Sequence, residues 1–190
     1  MIKLKNKYYI MRHGEAKSNI LRLCSCWPEE FNNPLTTIGK KAVKAAVERL
    51  KNRNISLIFN SPLKRAKMSA EIAGKVLKIM PKPDKRLMEI NFGKYNNHHL
   101  EGMWSAFKTE EERINKGTNG GETYSEILER MMDFLRETDE KYMGRNILII
   151  SHEGPLFLLE GKVKGLTIKQ TIEKYPTNKR IHKAEIRELN

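Results

Sequence analysis

Cysteine, long apolar runs and acidic residues are all scarce in this chain, and each shortage narrows what it can be. Only two cysteines, Cys24 and Cys26, occur in 190 residues. They stand one residue apart, where a disulfide would be strained, and no second Cys/His pair follows at zinc-site spacing. Two free thiols in a reducing compartment are the expectation. No apolar stretch approaches the ~20 residues needed to span a bilayer, and no amphipathic basic helix stands out for a membrane surface. The basic opening segment, Met1 to Lys7, is not followed by an apolar core or a cleavage site, so a cytoplasmic protein is expected. Repeats, low-complexity tracts and clear linkers are missing too, which fits one domain over residues 1–190. Asp and Glu number 23 against 36 Lys and Arg, for a net charge of +13. Such an excess favours anionic ligands and leaves nucleic acid open as a partner. The basic residues are spread along the whole chain, however, as on an ordinary solvated surface. Nothing specifies an oligomeric state.

Strand and helix signals alternate. Tyr8-Tyr9-Ile10-Met11 reads as a strand entering a loop at Arg12-His13-Gly14. Thr36 or Thr37 can cap a helix with Ile38, Ala42, Ala45, Ala46 and Leu50 as its apolar positions. Ile55–Phe59 is a second strand, after which Ser61-Pro62 reads as the cap and first residue of a helix running to about Lys78. Glu122 to about Lys141 is a helix with Ile127, Leu128, Met131, Met132 and Leu135 on one stripe. Asn146–Ser151 is the clearest buried strand, Gly154-Pro155 opens another helix, and Arg180–Leu189 alternates like an edge strand. The expected fold is therefore α/β, a three-layer sandwich with a mostly parallel central sheet flanked by helices on both faces. The segment from about 94 to 121, rich in Asn, Lys, His and Gly, is the expected lid or insertion; His98 and His99 within it read as exposed loop residues.

In such sheets ligands gather at the carboxyl ends of the strands. Three loops leaving those ends carry the most reactive residues in the chain: Arg12 and His13, Arg65 just inside its helix, and Ser151-His152. Two arginines and two histidines converging on one crevice would bind a dianionic phosphoryl group, since guanidinium groups engage phosphate oxygens bidentately. A carboxyl group is still needed to protonate a leaving oxygen. Glu89 is the candidate, in competition with Glu15 and Glu101.

These residues fall into blocks that resemble the histidine phosphatase, or phosphoglycerate mutase-like, superfamily. Arg12-His13-Gly14-Glu15 after an apolar strand resembles its signature. Asn19, Asn33-Pro34-Leu35-Thr36 with Gly39, and Ser61-Pro62-Leu63-Lys64-Arg65-Ala66 follow in the family's order. Leu87-x-Glu89 with Phe92-Gly93, Gly121-Glu122-Thr123 and Ile149-Ile150-Ser151-His152 complete the set, which covers about residues 7 to 160.

The resemblance implies a phosphoric monoester hydrolase that needs no metal or cofactor and acts on a small phosphorylated metabolite. His13 would be the nucleophile that forms a phosphohistidine. Arg12, Arg65 and His152 would hold the phosphoryl oxygens, and Glu89 would act first as acid and then as base. Asn19 and Arg22 lie where the family often contacts phosphate or substrate, and Glu122 near the pocket rim. Each has a plainer alternative: Asn19 as the cap of a turn, Arg22 as a solvated side chain, and Glu122 as a residue that favours a helix start. Glu153 departs from the pattern, because Gly or Asn usually follows the second histidine. Its carboxylate either disfavours a second anionic group on the substrate or points away. The acid block lacks the Tyr-Gly-x-Leu-x-Gly pattern of the mutase branch, which favours phosphatase over mutase. The remaining alternative is a basic phosphate- or RNA-binding module that retains the pocket.

Overall fold

The computed structural model describes residues 2–190. Five strands form one sheet: β1 Lys7–Arg12, β2 Ile55–Asn60, β3 Lys82–Pro83, β4 Asn146–Ser151 and β5 Ile186–Glu188, in the spatial order β3-β2-β4-β1-β5. All neighbours run parallel except β5, which lies antiparallel to β1 at the edge. The inner strands are buried on both faces, and their side chains divide by the period of two. Tyr8, Ile10, Phe59, Ile147 and Ile149 pack into one core with the helices α5 (Tyr124–Lys141) and α6 (Glu153–Val163). Tyr9, Met11, Ile58, Leu148 and Ile150 pack into the other, against α2 (Thr37–Glu48) and α3 (Lys64–Leu77). This is the expected three-layer sandwich. Shorter helices α1 (Lys17–Leu21), α4 (Leu100–Trp104) and α7 (Ile168–Lys174) complete the chain, and no helix among the described residues is long and apolar enough to cross a membrane.

Several boundaries differ from expectation for identifiable reasons. The buried stripe of α2 is Gly39, Val43 and Val47, continued by Leu50, while Ile38 is exposed. The chain enters this helix at Thr36, whose hydroxyl accepts the Gly39 N–H at 2.9 Å, and that register turns Ile38 outward. Helix α3 starts at Lys64, later than Ser61-Pro62 suggested. Ser61 still belongs to the sheet edge, its N–H donating to the Ile150 carbonyl at 3.0 Å, and Glu29 accepts the exposed Lys64 N–H at 2.7 Å. Of the alternating C-terminal segment only Ile186–Glu188 joins the sheet. Segment 94–121 packs by Met103 and Arg113, both buried, and His98 and His99 are exposed as expected.

Candidate active site

The sheet itself gathers the reactive residues. Arg12 pairs with Ser151 and Asn60 with Ile150 in the parallel register, so β1, β4 and β2 end at one level. The ladder runs one residue further on two of these strands: His13 N–H donates to the Ser151 carbonyl and Ser61 N–H to the Ile150 carbonyl, both at 3.0 Å. His13 and Ser61 are thereby fixed by backbone, and His152 directly follows the last residue of β4. Gly14 is required because a Cβ there would stand 2.7 Å from the Gly39 carbonyl oxygen, where the loop after β1 presses on the start of α2.

A cleft of about 340 Å³ opens over these strand ends, lined by Arg12, His13, Arg65, Glu89 and Glu153 among others. His13 is 2% exposed. Its Nδ1 lies 2.7 Å from the carbonyl of Gly14, an acceptor only, so Nδ1 carries the proton and Nε2 keeps its lone pair. Arg65 Nε donates to that Nε2 at 3.1 Å, which is consistent with the same tautomer. Burial, then the charges of Arg65 and Arg12, hold the His13 pKa well below the ordinary imidazole value. Arg65 is anchored by the Ser25 hydroxyl and carbonyl at 3.3 and 2.8 Å, and the Ser25 hydroxyl in turn accepts from Asn33 at 3.1 Å.

His152 is fully buried just behind this floor, its ring 5.0 Å from that of His13. Its Nε2 meets the Ser61 hydroxyl at 2.8 Å, while Nδ1 is buried without a partner among the described residues, 3.9 Å from Glu89 Oε2. Burial, with Arg65 and His13, keeps this imidazole neutral as well. Glu89 sits across the cleft, Oε2 4.0 Å from Arg65 and Oε1 accepting the Ile90 N–H at 3.0 Å. Burial raises its pKa, with Glu153 adding to the effect and Arg65 and Arg12 opposing it. Glu15 is bound to Lys183 and Thr36 outside the cleft, and Glu101 pairs with Arg22, so Glu89 alone of the three carboxylates faces the histidines.

The secondary assignments separate. Asn19 lines the cleft but spends its amide oxygen on the Ala16 N–H at 2.9 Å, closing the turn into α1. Arg22 lines the mouth, mostly exposed and paired with Glu101. Glu122 does not line the cleft. It grips Arg130 at 2.7 and 3.0 Å, and Arg130 donates to the carbonyls of Arg86, Met88 and Glu89. The expected rim contact is therefore corrected: Glu122 lies before the cap of α5, turned toward the acid segment it braces. Cys24 and Cys26 are free and buried, and burial pushes both thiols up to about 12. Arg113 and the side chain of Arg180, which no sequence pattern marks, are two further buried cations on the cleft wall. Neither follows a strand end, so the signal that marked the others was missing.

The description of the histidine phosphatase superfamily, branch 1, matches residues 8–188. The chain belongs to this family. Curated relatives include the proteins named "Probable phosphoglycerate mutase GpmB" of Photorhabdus laumondii and Yersinia pestis. Each is 28% identical over 163 residues, 83% of this chain and 74% of the relative. Among solved structures, Bacillus stearothermophilus YhfR superposes with a TM-score of 0.77 at 23% identity, covering 87% of this chain and 83% of the other. A mycobacterial glucosyl-3-phosphoglycerate phosphatase gives 0.76 at 20% identity, with coverages of 87% and 85%. The α-ribazole phosphatase of Shigella flexneri gives 0.76 at 22%, with coverages of 95% and 88%. At these identities the structural matches establish the fold.

Proposed function

We propose that the protein hydrolyses small phosphomonoesters through a phosphohistidine at Nε2 of His13. The observation that carries this reading is the pairing of a neutral, Nδ1-tethered His13 with a carboxyl group of raised pKa on the other side of the same cleft. In water a carboxyl group titrates near 4 and an imidazole near 6.5, so acid and nucleophile are seldom ready together. Burial moves the two values toward each other, which favours protonated Glu89 beside neutral His13.

The first half-reaction follows from that state. The Nε2 lone pair attacks phosphorus, the bond to the leaving oxygen breaks, and the Glu89 proton passes to that oxygen. Arg65 moves its Nε–H donor from His13 to a phosphoryl oxygen, and Arg12 and the unpartnered His152 Nδ1 take others. In the second half, water attacks phosphorus, Glu89 accepts its proton, and the electrons of the P–N bond return to neutral His13. Asn19 and Arg22 are proposed as outer contacts for the substrate. No metal enters these steps, and a cytoplasmic enzyme is the setting that the free thiols suit.

Phosphoryl transfer of the phosphoglycerate mutase type is the second reading, supported by the names of the curated relatives. Against it stands Glu153, whose carboxylate lies on Arg12, where a bisphosphate intermediate would bring further negative charge. The test is incubation with an aryl phosphate and, separately, with 3-phosphoglycerate, with chelator present. Release of inorganic phosphate, lost in His13→Ala, is expected. Isomerisation of 3-phosphoglycerate without release would replace the hydrolase reading by the mutase, and turnover persisting in His13→Ala would sink both.

A further inference from the structure

Five arginines line the cleft: Arg12, Arg22, Arg65, Arg113 and Arg180. On a chain of net charge +13 they would be expected to make a strongly cationic hole. Carboxylates answer them instead: Glu153 on Arg12, Glu101 on Arg22, Glu29 and Glu89 on Arg65, and Glu110 on Arg180. Among the described residues Arg113 has no carboxylate of its own. It lies 4.8 Å from the Trp104 ring and 4.5 Å from that of Tyr124. It donates to the Tyr124 hydroxyl, which donates on to Glu110. Both histidines are neutral. The five guanidinium groups therefore exceed the facing carboxylates by at most one positive charge before any ligand arrives, whichever form Glu89 takes. A phosphoryl dianion reverses that sign. A second anionic group on the same substrate would then enter a cleft of net negative charge, partly shielded from the water that would screen it.

Glu153 sets this limit at the place that matters. It is the first residue of α6, directly after His152, and its carboxylate is bound to Arg12 Nη1, which also donates to the Ile181 carbonyl at 3.2 Å. Its other oxygen lies 3.9 Å from Arg180 Nη1. Glu101, by contrast, is more than half exposed, so water screens it.

We propose, resting on the hydrolase reading above, that Glu153 is a specificity-determining residue that restricts the site to phosphomonoesters with an uncharged leaving alcohol. Its carboxylate repels a second anion beside the phosphoryl seat and offers an acceptor to a hydroxyl group of the leaving alcohol. Because it shares Arg12 with the phosphoryl group, it also loosens the hold on inorganic phosphate.

The experiment compares wild type, Glu153→Gln and Glu153→Asp on phenyl phosphate and 4-carboxyphenyl phosphate, which differ by one carboxylate. The expected result is that Glu153→Gln raises kcat/KM for the carboxylated ester relative to the plain one about tenfold, through KM. It also lowers the inhibition constant of inorganic phosphate, while Glu153→Asp keeps the wild-type discrimination. A ratio unchanged within about twofold in Glu153→Gln, or Asp behaving as Gln does, would overturn the proposal, since a structural role alone would not follow charge. If wild type turns over neither ester, the hydrolase reading fails, and calorimetric titration of the same two esters reads the discrimination directly. Equal affinities in wild type would overturn the charge limit there too.

Discussion

The floor of the cleft and its wall are built in different ways. His13, Ser61 and His152 leave a sheet whose hydrogen-bond ladder runs right up to them, so their positions are backbone properties. Arg113, Arg180 and Glu153 stand in a wall assembled from side chains: rings stacked on guanidinium groups, and carboxylates shared between arginines. The ladder is fixed by the backbone path, whereas the wall is set by which side chains stand beside one another. The difference teaches where chemistry and where selectivity reside: the floor fixes a nucleophile, and the wall decides what is brought to it.

Substitutions in the floor should therefore act on turnover, and the largest effect is expected from His13→Ala. Activity should fall by about 10⁴-fold or more, with no acid-labile phosphoprotein formed from substrate and with an unchanged circular dichroism spectrum. The acid that faces the floor across the cleft comes next, Glu89→Gln lowering kcat on the order of 10²- to 10⁴-fold. It carries a pH signature. The raised Glu89 pKa sets the alkaline limb of kcat/KM and the lowered His13 pKa the acid limb, so Glu89→Gln should lose the alkaline limb alone. The stability consequences have opposite signs. His13, with its folded pKa depressed, contributes stability above about 6.5 that is lost as pH falls through the folded value. Glu89, with its folded pKa raised, is tolerated at low pH and costs stability as pH rises, so Glu89→Gln should raise the Tm at pH 8 more than at pH 4. An equal change at both pH values would contradict the assigned burial effect.

How much of this was legible in the sequence follows the same division. Three apolar strands, each ending in a polar reactive residue, announced the floor, because a period of two and a strand end are local signals. The alternation of strands and helices likewise pointed to a mostly parallel sheet covered on both faces, but the strand order depends on long-range pairing that no local pattern carries. The wall was not announced in this way. Arg113 lies in a segment with no regular period, and its place depends on Trp104 and Tyr124 folding around it. Glu122 looked like a rim residue from its motif, and only the three-dimensional path of Arg130 turns it inward to the acid segment. Ser61 matched a helix-cap pattern, yet its hydroxyl serves His152.

That last difference gives an intermediate prediction. Ser61→Ala removes the partner that orients His152 and leaves its buried Nε2 unpaired. kcat should drop about tenfold, at a stability cost of about 1–3 kcal/mol. Loss of stability with kcat intact would show Ser61 to be structural only. Gly154→Ala probes the seam between floor and wall. Its Cβ would stand 2.6 Å from Ile90 Cδ1 and 3.2 Å from Glu89 Oε1, so Ile90 must shift and the acid beside it is crowded by a few tenths of an ångström. A cost of about 1–3 kcal/mol is expected, with kcat reduced severalfold. Shortening Ile90 to Val in the same chain should recover part of both losses, as a steric cause requires.

The smallest effect belongs to the outermost cation. Arg22 and Glu101 are both more than half exposed, and a pair so placed in water contributes little to folding. Arg22→Ala should leave the Tm unchanged within error. If Arg22 greets the substrate at the mouth, KM should rise no more than a few-fold and that rise should vanish in high salt, since the interaction is screened. A fall in kcat of tenfold or more in Arg22→Ala would extend the floor's rigidity to the rim and blur the division between the two regions. A salt-sensitive change in KM alone keeps Arg22 with the wall, where charge selects the ligand and the sheet does the chemistry.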